Sequence, residues 1–216
     1  MKQLIIIGAR GFGRELSDWA KSCGGYGEDF VVKGFLDDKV DALDGYGDYP
    51  PILGSVEGHR FLDDEVFAVA LGDPKAKKRY AEIALGNGGT PCTLIHETAM
   101  IGSNTTIGRG CLILANALVS ANCRIGEFST ISFCSDLGHD AQVGAYSHVG
   151  AYGFMGGYSR IGSGVTMHPR ASLLPRTQVG DWAVVGAGSV CTSSVKPGRT
   201  VFGVPARELL SFAEKK

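Results

Sequence analysis

In the stretch Asp136-Leu137-Gly138-His139-Asp140, a histidine is followed directly by a carboxylate. A carboxylate that orients an imidazole and stabilises its protonated form is the usual arrangement for a general base. A lone exposed histidine would imply nothing of the kind, and the neighbouring Asp140 is what lifts His139 above that reading. His148 follows nine residues later in Tyr146-Ser147-His148-Val149-Gly150. His59 reads as a surface residue, and His96 and His168 as structural ones. Near the N-terminus, Gly8-x-x-Gly11-x-Gly13 joins an apolar run to a helical pattern, and Asp37-Asp38 closes a second apolar run. Glycines at a strand–helix turn let a ligand approach the backbone, and the helix N-terminus offers amides to phosphate. Carboxylates at the end of the second strand can accept from ribose hydroxyls or a base N–H. A ligand-free tight turn would use the same glycines, and a solvated turn the same aspartates.

The element that must position His139 runs from Ile95 to Lys196, where a six-residue rule repeats seventeen times without insertion. Its first positions run Ile95, Ile101, Ile107, Ile113 and onward to Val185 and Cys191. Sixteen of the seventeen are Leu, Ile, Val or Met, types that make up 50 of the 216 residues, so chance would put about four there. The second position is Gly ten times, and the fifth is almost always small, as at Thr105, Cys111, Ala117 and Ser129. A period of six fits no amphipathic helix. It fits a short parallel strand and a bend, repeated, with the aliphatic side chain directed to the axis. Glycine is expected to give freedom at the bend, and the small fifth residue to let the turn close. Three hexads per triangular coil make a left-handed parallel β-helix of five to six coils. His139 takes the outward third position. His148 lies half a coil on, so one chain presents the two histidines on different parts of its prism. They can meet only between copies, most simply in a cyclic trimer.

The first ninety residues alternate strand and helix: strands at 4–7, 30–36 and 66–71, a helix through Trp19 to Cys23, and another from Lys75 to about Leu85. This predicts a small α/β (Rossmann-like βαβαβ) domain at 1–90, a boundary near Gly88 to Pro91, and the β-helix with a short tail at 91–216. Fewer than 100 residues are too few for a complete NAD domain, so redox chemistry is not expected. A formal charge of −1 without a basic run argues against nucleic acid or an anionic membrane as partner. No 18-residue apolar run is present, and the first residues do not read as a signal peptide. Six cysteines without CxxC pairing suit a reduced, cytoplasmic setting, with Cys111 and Cys123 as core fillers.

The hexads, both histidine stretches and the ending Val201-Phe202-Gly203-Val204-Pro205-Ala206-Arg207 resemble hexapeptide-repeat acyltransferases. Ile6-Ile7-Gly8-Ala9-Arg10-Gly11-Phe12-Gly13-Arg14-Glu15 and Gly34-Phe35-Leu36-Asp37-Asp38 narrow the resemblance to the bacterial PglD/NeuD branch of sugar acetyltransferases. That resemblance implies an acetyl-CoA-dependent, metal-free acetyltransferase acting on a nucleotide-linked amino sugar in glycan biosynthesis. It makes His139 the base, Asp140 its orienting acid (often Glu in the family) and His148 the second histidine near the acetyl thioester. Backbone near Gly157 and Ala187 would hold the pantetheine arm. Gly8, Gly11, Gly13, Asp37, Asp38 and Gly72 would hold the nucleotide sugar. Ser132 stands where the N-acetyltransferases carry Asn. An O-acetyltransferase on sialic acid or another small acceptor is the alternative chemistry, and a non-catalytic assembly module the alternative of another class. A γ-class carbonic anhydrase shares the solenoid but pairs two zinc histidines five residues apart, a spacing absent here.

Overall fold

The structure is a computed structural model and describes residues 1–209. Its first part is a parallel sheet of order β2-β1-β3-β4, built from β1 (Lys2–Ile7), β2 (Phe30–Leu36), β3 (Glu65–Val69) and β4 (Thr90–Pro91). Helix α1 (Gly11–Trp19) follows β1, and α2 (Pro74–Gly86) follows β3. α2 starts where the sequence says a helix should: Asp73 accepts from the Ala76 N–H at 2.7 Å and Pro74 takes the first turn. α1 stops earlier than its apolar pattern suggests, with Ala20–Ser22 continuing as a 3₁₀ turn. The two-residue β4 gives no signal in sequence, because a strand so short has no period to read.

His59 is not a surface residue. Its Nε2 lies 2.9 Å from Glu65, a carboxylate buried in β3 that also accepts from Lys33 at 2.6 Å and the Leu62 N–H at 2.9 Å. Burial by itself would raise the Glu65 carboxyl, but these donors override it and bring the pKa down to about 2.

From Leu94 onward the chain coils as a left-handed parallel β-helix of two-residue strands. Register partners sit eighteen residues apart, as Arg124 with Gln142 and Thr130 with His148. Three sheets form the prism faces, parallel except where Val201 and Phe202 pair antiparallel with Glu208 and Arg207: eight strands through Leu112, Thr130 and His148, six through Leu118, Asp136 and Phe154, and five through Arg124, Gln142 and Arg160. First-position residues from Ile113 to Val185 fill the axis with almost no exposure.

The glycines of the second position serve a different purpose from the one expected. They are not the bend residues: left-handed φ falls two places later, on the fourth position, in every hexad from Asn104 to Gly188. What glycine provides at the second position is clearance. A Cβ on Gly126 would sit 2.5 Å from the Ala145 nitrogen one coil up, and one on Gly144 would sit 2.3 Å from the Gly162 carbonyl carbon. The small fifth position also does more than close a turn. Ser129 Oγ donates to the Gly144 carbonyl at 2.8 Å, Ser147 Oγ to Gly162 at 2.7 Å, and Cys111 Sγ to Gly126 at 3.1 Å. These bonds satisfy buried hydroxyls and lock coil to coil. Cys111 and Cys123 are fully buried core residues, as their position predicted. Gly144→Ala is therefore expected to cost about 1–3 kcal/mol by overpacking. Gly188→Asn, at a bend conformation that Asn104, Asn116 and Asn122 already hold, should stay within about 0.5 kcal/mol. Chemical denaturation of the two variants separates them.

The N-terminal unit packs on the eight-stranded face. Leu94, Leu112 and Leu114, all outward on the solenoid, share a core with Leu4, Ile6 and Phe35. Phe128 stacks between Phe67 and Tyr146, with ring centroids 6.1 and 5.5 Å away. Each fully buried leucine is worth roughly 1.5–3 kcal/mol. The outward residues of the five-stranded face, Arg124, Gln142, Arg160 and Gln178, are polar. That contrast in eighteen-residue steps was present in the sequence.

Candidate active site

His139 stands at the corner between the six- and five-stranded faces, with its side chain 61% exposed. Asp140 takes the left-handed bend position (φ 61°), which turns its carboxylate back onto the ring, Oδ2 2.8 Å from Nδ1. A proton on Nδ1 donates to that carboxylate and leaves the Nε2 lone pair free. One coil above, the Tyr158 ring meets the imidazole edge-on, with centroids 5.1 Å apart and planes at 90°. The Tyr158 N–H donates to the His139 carbonyl at 3.0 Å. Arg176, a further coil up, lies over the Tyr158 ring at 4.6 Å. Gly157 sits directly behind the imidazole: a Cβ there would lie 2.7 Å from Nε2. Tyr158 and Arg176 escaped sequence reading, although their spacings of nineteen and thirty-seven residues from His139 place them on its corner.

His148 occupies the eight-stranded face, under the N-terminal unit. Its ring meets Phe12 of α1 edge-on at 6.3 Å, and among the described residues its buried Nδ1 has no hydrogen-bond partner. Burial, with the charges of Lys77 and His168, pushes its pKa down to about 3, so the ring is neutral at physiological pH. The two histidines thus lie on different faces of one chain. Ala187 is exposed at the corner between the eight- and six-stranded faces, away from His139. Ser132 is buried beside the eight-stranded face.

The N-terminal unit has its own cavity of about 190 Å³ at the carboxyl ends of its strands, lined by Gly8, Arg10, Asp37, Asp38, Leu71 and Tyr80 among others. Asp37 Oδ2 accepts from the Ala9 N–H at 2.9 Å, so it braces the glycine turn. Asp38 accepts from the Tyr80 hydroxyl at 2.8 Å, which raises the Tyr80 pKa. Tyr80 is a lining residue that no motif announced. Gly8 holds φ +98°, a conformation that favours glycine. A Cβ on Gly13 would lie 1.8 Å from the Gly8 carbonyl oxygen, so Gly13 is there for helix–strand packing. Gly11 and Gly72 are exposed with open space around them, and neither lines the cavity. No side chain caps the start of α1, which leaves its first-turn amides open to an anion.

Residues 3–84 match the PglD N-terminal domain family. Over 97% of this chain and 100% of the other, the fold superposes with a TM-score of 0.87 on the acetyltransferase domain of PglB from Neisseria gonorrhoeae, at 28% identity. Residues 3–84 thus belong to the PglD N-terminal domain family, and over its whole length the chain resembles that acetyltransferase domain. A structure of that PglB domain holds acetyl coenzyme A. The UDP-N-acetylbacillosamine N-acetyltransferase of Bacillus subtilis is 30% identical over 117 residues, covering 53% of this chain and 52% of that protein, about half its length. PerB from Caulobacter crescentus, solved with CoA and GDP-perosamine, is 22% identical at a TM-score of 0.84 over 97% of this chain and 98% of its own. At that identity, PerB speaks to the fold alone.

Proposed function

We propose that this chain transfers an acetyl group from acetyl-CoA to the amine of a nucleotide-linked amino sugar. The observation that carries the reading is the outward His139–Asp140 pair, with Nδ1 2.8 Å from the carboxylate, a glycine behind it and a cavity at the strand ends of the N-terminal unit on the same chain. Residues 1–90 bind the nucleotide sugar, through Gly8, the α1 amides, Asp38 and Tyr80. Residues 91–216 carry the chemistry. His139 Nε2 takes a proton from the sugar amine as its nitrogen attacks the thioester carbonyl. The C–N bond forms, the C–S bond breaks, and coenzyme A leaves as thiolate to be protonated. The backbone N–H of Gly157, beside the ring, is suited to bind the oxyanion, and neutral His148 to contact the thioester.

His139 and His148 lie on different faces, so the complete site is made between copies. Met100, Leu118, Phe154 and Leu174 are exposed large hydrophobic residues on and beside the six-stranded face, interrupted by Asp136 between Leu118 and Phe154, and they make this face the candidate interface. The assembly is a homotrimer with the active sites between subunits. The setting is the cytoplasm. No helix among the described residues is long and apolar enough to cross a membrane.

The test is release of free coenzyme A from acetyl-CoA with UDP-, GDP- and CMP-linked amino sugars. One of them is expected to turn over, and the same sugar and acetyl-CoA should raise the melting temperature, since a ligand at 100 times its Kd adds about 2.7 kcal/mol. Sedimentation of a fully active monomer, or no turnover with any amino sugar, sinks the reading.

A further inference from the structure

The mechanism above leaves one buried cation unused. Lys77, in the first turn of α2, is 1% exposed where the N-terminal unit meets the solenoid. Its ammonium donates to Thr130 Oγ1 at 3.0 Å and to the Ser147 carbonyl at 3.5 Å, and neither partner is charged. Burial disfavours the ammonium and lowers the Lys77 pKa from its ordinary value to about 7. Methionine would fill a similar volume without that cost. Something other than stability keeps a lysine at this position.

Its two partners have one thing in common. Thr130 is the cross-strand neighbour of His148, and Ser147 is the residue immediately before it. The geometry points to Lys77 as a positioning residue for His148: reaching across from α2, it clamps both residues beside the imidazole and so fixes the orientation of a ring whose buried Nδ1 has no hydrogen bond of its own to hold it. Burial already keeps the His148 ring neutral, and Lys77, when protonated, adds to that effect because a cation near the ring disfavours the imidazolium. The helix that carries Lys77 also carries Tyr80, bonded to Asp38 in the N-terminal cavity, so α2 ties the nucleotide cavity to the face that holds His148. This role rests on the acetyl-transfer reading for its kinetic consequence, though not for its geometry.

Lys77→Met decides the matter. A purely structural lysine would lower the melting temperature when replaced, with turnover kept in whatever protein remains folded. A positioning lysine leaves the melting temperature unchanged or raised, because an apolar isostere is cheaper to bury, while kcat falls about ten- to a hundredfold. Affinity for the nucleotide sugar should stay within about twofold of wild type. The double variant Lys77→Met/His148→Ala should be no slower than His148→Ala alone, because a clamp has nothing left to position. Wild-type kcat in Lys77→Met, or losses that multiply in the double variant, overturns the assignment. Imidazole ¹⁵N spectra at one pH supply a readout independent of turnover: the His148 ring signals should shift or broaden in Lys77→Met, and unchanged signals overturn the clamp. If wild type releases no coenzyme A, the acetyl-transfer reading fails and these spectra still judge Lys77. Thr130→Val, which removes only the acceptor, replaces Lys77→Met if that variant does not fold, with the same spectral change and a several-fold loss of kcat expected.

Discussion

Replacing His139 with alanine lowers kcat for coenzyme A release by about 10²–10⁴-fold, the range that general-base assistance supplies. The folded state should barely notice. The side chain is 61% exposed, and its one hydrogen bond, to Asp140 at 2.8 Å, is a surface contact, so its removal opens no cavity in the axis of the β-helix. Steady-state turnover with the competent amino sugar, measured beside a thermal melt and sedimentation of the same sample, separates lost chemistry from lost structure. Turnover near the wild-type rate in a folded assembly would take His139 out of the mechanism.

Gly157→Ala is the second large effect, and it acts without touching a reactive group. The new methyl would lie 2.7 Å from Nε2 and 2.9 Å from Cε1 of His139. Atoms cannot share that space, so the exposed imidazole must swing. Any swing strains the Asp140 bond that fixes the tautomer and the edge contact with Tyr158. The backbone at Gly157 is not left-handed, so alanine adopts it and the coil should keep its stability. The Gly157 N–H also survives, which means the loss reports on the ring and not on the oxyanion. Displacing a catalytic group by about 1 Å costs on the order of 10²-fold. An alanine variant that turns over like wild type would show that the ring is not held where the mechanism needs it.

The hexad pattern was legible because a β-helix is almost one-dimensional: each coil touches only its neighbours, so local period and global fold are one fact. The same regularity exposed His139, an outward position with a carboxylate in the next place. It misled on the glycines, because sequence shows where glycine stands and not whether it relieves a backbone angle or a contact eighteen residues away. Gly144 does the latter, and the left-handed bends fall on residues as bulky as Phe128, Tyr146 and Trp182. Within the N-terminal unit, the strand ends marked Gly8, Asp37 and Asp38. They could not tell that Asp37 is occupied by the Ala9 N–H, that Tyr80 reaches Asp38 from α2, or that Gly11 and Gly72 stand clear of the cavity.

By itself the sequence determined the two-part architecture, the axis of the solenoid and the His139–Asp140 pair, since each depends on residues close together in the chain or repeated at a fixed interval. Tertiary structure alone decided the rest. How the N-terminal unit sits on Leu94, Leu112 and Leu114, and with it the covering of His148 by Phe12 and the burial of Lys77, depends on two surfaces that meet without any shared period. Desolvation is the physical reason this matters: a lysine that reads as an ordinary helix cation becomes a buried clamp only when a second surface closes over it, and no local pattern records that closure.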